Sequence, residues 1–392
     1  MNTRLASIDV FRAIIMFLMV FVNDFWTLYK VPAWLEHAPA NADAMGFSDI
    51  IFPAFLFIVG LSIPLSQRSR LAASESRGLI FRHIFLRSFA LVVMGFYHVN
   101  MENYSSQALL QKPLWVILVT VSFFLIWLDY RHVETKWVRR LQFVGIALLI
   151  VLAVLYKGEA GNETVGMTPQ WWGILGLIGW AYFLCATLFL FVNERLAALT
   201  TLFIFFVLFN AGTMVEWPAF MGELGNVIGW LTGGNGSNSS IIIAGVIVSV
   251  LYKKTASYPG KLAVILISMA ILLFVFGFAS RPVWGISKIG TTPSWTTICT
   301  AISILAFGAL IVLIDRREKQ NWFRLIKPAG TSTLTCYLIP YIYYAVFISI
   351  IGVRLPAVLR TGVVGIIKSL LFALLIVLIT GWLQKVRLRL KL

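Results

Sequence analysis

The chain has 392 residues, of which 59% are hydrophobic and 12% are charged, and its formal net charge is +16. A soluble domain averages roughly 45–50% apolar and about 25% charged residues, so this composition excludes an ordinary soluble protein and indicates a polytopic membrane protein. Basic residues collect in the cytoplasmic loops of membrane proteins, which explains the positive charge without a nucleic-acid partner. The three cysteines lie in apolar segments, so neither a disulfide framework nor a metal site is expected.

A spanning helix needs about 20 mostly apolar residues, and this criterion predicts about twelve spans in one domain of residues 1–392. The fold class is therefore all-α, a polytopic transmembrane helix bundle. The predicted spans lie near residues 6–27, 49–67, 80–98, 113–130, 140–156, 173–192, 197–214, 239–252, 261–279, 295–314, 333–351 and 362–383.

Basic residues alternate between loops in a way that predicts orientation. Most of them fall in residues 67–78, 129–140, 193–195, 252–261, 315–327 and the tail 385–392. The positive-inside rule places these segments, and with them the N- and C-termini, in the cytoplasm. The opposite loops are rich in Gly, Pro, Trp and Asn, a composition that suits segments folded over a cavity mouth.

Polar residues crowd the stretch that joins the first two spans. It contains Asn23, Glu36, His37, Asn41 and Asp49 in an otherwise apolar sequence. Polar groups at membrane depth are costly and are therefore functional candidates. A histidine that titrates near neutral pH is a suitable general base for an amine acceptor, and an amide can stabilise an oxyanion. His37 and Asn23 thus form a minimal acyl-transfer set.

The neighbours of these two residues are candidate substrate contacts, and each has a structural alternative. Asp49 lies where a carboxylate caps a helix, Asn41 suits a turn, and Glu36 flanks the histidine. Lys288, in a later outer loop, is either a substrate contact or a simple loop charge. A lone histidine such as His37 is itself often structural. No nucleophile-elbow, CxxC or HExxH motif supports a hydrolase or zinc enzyme.

A second polar set is predicted on the inner half of the bundle. Asp9 and Arg12 share one helix face at a spacing of three residues. Arg82 and Arg87 open the third span, and Arg87 lies more than a turn inside it. These residues predict a cytoplasmic port for a polyanion, since guanidinium groups bind phosphates well. Snorkelling to the membrane surface is the alternative for Arg82.

Four segments of the first 65 residues resemble the heparan-alpha-glucosaminide N-acetyltransferase family, and its bacterial members most of all. They are the residues 4–12 (RLASIDVFR), 19–23 (MVFVN), 36–41 (EHAPAN) and 48–57 (SDIIFPAFLF). Looser likeness continues at residues 86–89, 173–182 and 287–296. Ala13 stands where the family usually has Gly, and residues 40–42 replace its usual Trp-Asn-Gly. These differences leave the identity of the acceptor sugar open.

The resemblance implies a transmembrane acetyltransferase in a bacterial inner membrane. Such an enzyme takes acetyl from cytosolic acetyl-CoA as cosubstrate and transfers it to the amine of a glucosamine-type sugar or glycan on the periplasmic side. The family's catalytic histidine falls on His37 and its active-site asparagine on Asn23, while Asp9, Arg12, Arg82 and Arg87 become candidate contacts of the CoA phosphates. A homodimer is left open.

Two other functions compete with this prediction. An amino-sugar transporter could use the same polar centre, although the paired broken helices typical of transporters are not evident in the sequence. A membrane acyltransferase that modifies hydroxyl groups typically carries Arg and His within one opening helix, whereas His37 follows the first span.

Overall fold

The computed structural model describes residues 6–131, 133–161, 163–215, 234–255 and 258–392. They form thirteen α-helices and one short antiparallel hairpin, β1 (Gly158–Ala160) with β2 (Glu163–Val165). The helices are α1 (Ala6–Asn23), α2 (Ser48–Ala72), α3 (Arg77–Asn100), α4 (Lys112–Trp127), α5 (Thr135–Val154), α6 (Gly173–Val192), α7 (Leu196–Gly212), α8 (Ser237–Thr255), α9 (Pro259–Trp284), α10 (Pro293–Leu310), α11 (Lys327–Thr331), α12 (Thr333–Tyr343) and α13 (Gly362–Lys385).

Each of the twelve predicted spans coincides with a helix, and α11 is a short additional one. Within the described parts of the chain, nine helical stretches are long and apolar enough to cross a membrane. Among them, α10 and α12 are counted together with the π-helical turns that extend them to Arg316 and Ile350. The predicted number of twelve is therefore not reached by this criterion. Helices α4 and α7 are apolar but have only 16 and 17 residues. Helix α8 has 19 residues and is not among the nine candidates.

Loops predicted to share a side of the membrane contact each other. On the predicted inner side, Glu194 accepts hydrogen bonds from Arg68 and, at 2.9 Å, from Lys253. There too Asp129 pairs with Arg389 of the tail at 3.0 Å. Polar bonds join predicted outer loops in the same way, as described below for the site. These contacts group the loops as the predicted topology does. The assignment of one side to the cytoplasm stays a prediction.

Helix α8 forms the centre of the bundle. Its residues 237–250 are all buried, and it packs against α2, α6, α7 and α10. Two glycines allow a close crossing with α2: a Cβ on Gly60 would lie 2.0 Å from the Ile242 carbonyl oxygen, and one on Gly245 would lie 2.2 Å from that of Phe57. Small residues that let backbones approach are typical of helix contacts in membranes.

Candidate active site

The segment that carries His37 is held against the start of α2 by its own backbone. The Phe47 amide donates to the Trp34 carbonyl at 2.7 Å, and both the amide and the hydroxyl of Ser48 donate to the Leu35 carbonyl. Gly46 makes this fold possible, since a Cβ there would lie only 1.9 Å from the Glu36 carbonyl oxygen. The loop is thus a fixed support for the imidazole.

His37 and Asp49 form a carboxylate–imidazole pair. The distance from His37 Nδ1 to Asp49 Oδ1 is 2.6 Å, and Asp49 Oδ2 accepts from the amides of Ala38 at 3.0 Å and Gly46 at 2.9 Å. Since a carboxylate only accepts, the proton lies on Nδ1 and Nε2 keeps its lone pair. The Asp49 side chain is 1% exposed and that of His37 is 47% exposed, so a buried group orients an accessible base.

The contacts of Asp49 differ from those of a helix cap. Its carboxylate binds the loop before α2 and the imidazole, and the free amides of the first turn of α2 are not its hydrogen-bond partners. The alternative of a simple cap therefore does not describe this side chain.

Lys288 completes the cluster from the far end of the sequence. Its Nζ lies 3.1 Å from His37 Nδ1, 3.3 Å from Nε2 and 3.8 Å from Asp49 Oδ1. Nδ1 carries the proton that it shares with Asp49, and an ammonium almost equidistant from both ring nitrogens is poorly aligned with the lone pair of Nε2. Lys288 therefore supplies a nearby positive charge and not a directed hydrogen bond to the ring. Burial lowers the pKa of Lys288, and the Asp49 carboxylate opposes that shift.

Two outer loops are tied together so that Lys288 reaches the histidine. Asp43 accepts a hydrogen bond from Arg281 at 2.8 Å and from the Ile286 amide at 2.6 Å. On the other flank of Lys288, the Asn210 side chain donates to the Thr291 carbonyl at 2.9 Å. The lysine is therefore positioned by residues on both sides of it.

The other predicted outer site residues are not part of this cluster. Asn23 is exposed at the end of α1, and Glu36 and Asn41 are exposed in the loop. None of these three side chains forms a hydrogen bond with any residue that the structure describes. The structure thus joins His37, Asp49 and Lys288 directly, and it does not join Asn23 to them.

A buried charged cluster beside Asn23 was not predicted. Asp24 is fully buried and accepts from Lys368 at 2.7 Å, Tyr344 at 2.7 Å and Ser369 at 2.5 Å. Lys368 also donates to Thr27 at 2.8 Å. The signal was a lysine within an apolar span, which needs a partner of opposite charge.

The predicted inner port is divided between two places. Arg12 donates to Ser62 of α2 at 2.8 Å and pairs with Asp9 at 3.3 Å, and Asp9 lines a cavity of about 260 Å³ at the start of α1. Arg87 instead lies 5.0 Å from the Tyr182 ring and lines a different cavity of about 260 Å³. Arg82 is exposed at the start of α3. The structure thus corrects the prediction that these arginines share one port. Helices α1 and α3 turn Arg12 and Arg87 toward different neighbours.

The second cavity lies among several helices of the bundle. Its walls come from α1, α2, α3, α6 and α12 and from the end of the tail, and they are mostly apolar. Lining residues include Met16, Phe55, Arg87, Tyr337 and Lys391. An apolar cavity with two cationic side chains suits a ligand with both an anionic and an apolar part.

Helical spans around an oriented imidazole define the chain as a polytopic membrane protein with a candidate acid–base site. The family model for the heparan-alpha-glucosaminide N-acetyltransferase catalytic region matches residues 4–103, which include His37 and Asp49. In a pairwise comparison, the chain is 39% identical over 105 residues to the human heparan-alpha-glucosaminide N-acetyltransferase and 36% identical over 105 residues to the mouse protein. The matched stretch is 26% of this chain and 14% of each relative. The resemblance inferred from the sequence is confirmed for residues 4–103.

Proposed function

We propose that the chain is a transmembrane acetyltransferase that moves acetyl from acetyl-CoA to the amine of a glucosamine-type sugar or glycan on the opposite side of the membrane. The observation that carries the proposal is the 2.6 Å pair of His37 with the buried Asp49, inside the region that matches N-acetyltransferases. That pair leaves one ring nitrogen free to accept a proton from an amine.

The proposed reaction forms one C–N bond and breaks one C–S bond. His37 Nε2 takes a proton from the acceptor ammonium, and the free amine attacks the thioester carbonyl. Asp49 stabilises the imidazolium that results, as a carboxylate does in related acid–base pairs. Lys288 stabilises the negative charge on the carbonyl oxygen. When the C–S bond breaks, His37 returns a proton to the thiolate, and the second amine proton goes to solvent.

The donor is proposed to approach through the cavity lined by Arg87. The thioester cannot cross lipid with its charged phosphates, so it must reach the acceptor within the bundle. Arg87 and Lys391 supply positive charge, and Met16 and Phe55 supply apolar wall for an acyl-pantetheine arm. Asn23, Glu36 and Asn41 stay candidate acceptor contacts, because all three are exposed at the same end of α1 and the loop after it.

The test is acetyl transfer by the purified chain in nanodiscs. Labelled acetyl-CoA and glucosamine should give N-acetylglucosamine, detected by mass spectrometry. His37→Ala should reduce transfer by about 10²–10⁴-fold, the usual contribution of a general base. The matched control His83→Ala changes an exposed histidine at the start of α3 and should leave transfer unchanged. Full transfer by His37→Ala would refute the role assigned to it.

A transporter would give a different result once the purified chain is reconstituted into closed vesicles. Uptake of labelled glucosamine into proteoliposomes without acetyl-CoA, together with no acetylated product, would replace the acetyltransferase proposal by the transporter.

A further inference from the structure

A cavity at the start of α1 has no part in the chemistry proposed above. It has a volume of about 260 Å³ and lies between the first turns of α1 and the segment 321–331 that precedes α12. Its lining residues include Asp9, Phe323, Arg324 and Lys327. Since α1 begins a candidate span at Ala6, this cavity lies at a membrane boundary.

The charges around this cavity favour an anion. Arg324 and Lys327 are exposed, and neither side chain forms an ion pair or hydrogen bond with any residue that the structure describes. Asp9 is the acidic residue in the wall, and its carboxylate lies 3.3 Å from the Arg12 guanidinium, which offsets its charge. Two cations therefore line the cavity without a partner among the residues that the structure describes.

The same segment carries apolar anchors for a bilayer. Trp322 is 68% exposed and Leu325 is 57% exposed, and the Lys319 ammonium lies 5.7 Å from the Trp322 ring. Exposed tryptophan beside basic residues is characteristic of the interface between lipid headgroups and acyl chains. The positive-inside rule places this segment at the cytoplasmic leaflet, where anionic lipids attract basic side chains.

We propose that this cavity binds the phosphate headgroup of an anionic phospholipid, held by Arg324 and Lys327 and flanked by Trp322 and Leu325. A soluble phosphate ester shares the headgroup chemistry, but it would make no use of exposed apolar side chains beside the cavity. The membrane lipid is therefore the occupant to which the proposal commits. The proposal is independent of acetyl transfer at His37.

The experiment measures lipid binding to the purified full chain by native mass spectrometry. The detergent-solubilised protein is titrated with phosphatidylglycerol, phosphatidylethanolamine and phosphatidylcholine of the same acyl composition. Phosphatidylglycerol should bind most tightly. Arg324→Gln/Lys327→Gln should weaken its binding about 30-fold, because each basic residue near an anionic lipid surface contributes about fivefold to the affinity.

The matched control is Arg317→Gln/Arg387→Gln, which removes the same charge from two exposed arginines on the predicted inner side. It should bind phosphatidylglycerol as the unmodified chain does. Equal affinity for the three lipids, or an equal loss in the control, would overturn the proposal. So would competition by free coenzyme A that depends on Arg324 and Lys327, since the site would then bind a soluble phosphate ester. The lipid comparison on the unmodified chain is decisive even if a variant fails to fold.

Discussion

Replacement of Asp49 by asparagine or alanine separates the chemical role of this side chain from its structural role. In Asp49→Asn, the remaining oxygen can still accept from the Ala38 and Gly46 amides, which the carboxylate binds at 3.0 and 2.9 Å. The new amide group donates to His37 Nδ1 and so moves the ring proton to Nε2. The base is then blocked, and kcat should fall by about 10²–10⁴-fold with the fold intact.

Asp49→Ala should also destabilise the protein. The Gly46 amide loses its acceptor at a buried position and the Ala38 amide at a partly buried one. Each such loss costs up to about 3 kcal/mol, so the two together cost up to roughly 6 kcal/mol. The asparagine variant exchanges charged for neutral acceptors and should lose only about 1–2 kcal/mol. Thermal unfolding followed by tryptophan fluorescence should therefore rank the unmodified chain above Asn and Asn above Ala.

Initial rates of acetyl transfer supply the second measurement. Because Asp49 acts through the imidazole, Asp49→Asn in a His37→Ala background should cause almost no further loss. A well-folded Asp49→Asn variant with the kcat of the unmodified chain would refute the assigned tautomer. Additive losses in the double variant would show that Asp49 acts independently of His37.

Three further substitutions test the surroundings of the site. Lys368→Met leaves Asp24 buried without its cation and should cost about 3–5 kcal/mol in thermal unfolding, whereas adding Asp24→Asn should recover part of that stability. Gly46→Ala places a Cβ 1.9 Å from the Glu36 carbonyl oxygen and should abolish most acetyl transfer. The control Gly166→Ala, where the added Cβ meets open space, should leave transfer unchanged. Equal transfer rates in the two variants would contradict a fixed loop around His37. The pKa of Lys288 lies below its ordinary 10.5, so the unfolded chain binds more protons at this residue than the folded chain. The free energy of unfolding should therefore rise with pH in alkaline solution. Lys288→Met should flatten that rise in thermal melts between pH 8 and 10.5.

The helices could be predicted because each apolar run is a local property of the sequence. Their rotation about their own axes could not, because a helix that is apolar on all sides has no distinct polar face. This explains the division of the inner port. Arg12 and Arg87 were expected to share one opening, yet α1 turns Arg12 toward Ser62 and α3 turns Arg87 toward Tyr182.

Separation along the sequence decided which contacts of the candidate site could be predicted. His37 and Asp49 are only 12 positions apart, so one loop brings them together and both were predicted. Lys288 is 251 positions from His37, and its contact depends on packing of α9 and α10 that no local pattern specifies. The pair of Asp24 with Lys368 spans 344 positions and was missed, although a lysine within an apolar helix indicated a buried partner.

The region matching the acetyltransferase family ends at residue 103, so it contains His37 and Asp49 but not Lys288. The bond of Asp43 to Arg281 and to the Ile286 amide links the two parts. The Arg281 hydrogen bond, followed by that of Ile286, holds the pKa of Asp43 below its usual range, so this link is present at neutral pH and is lost in acid as the carboxyl is protonated.

Asp43→Ala tests whether the link acts through Lys288. Thermal stability should change little, since a half-exposed ion pair contributes little to the free energy of unfolding. Transfer should fall by up to about 10²-fold, the cost of a displacement of about 1 Å in a catalytic group. If the link serves only to place the lysine, Lys288→Met combined with Asp43→Ala should be no slower than Lys288→Met alone. A further loss in the double variant would show that Asp43 contributes to the loop of His37 itself.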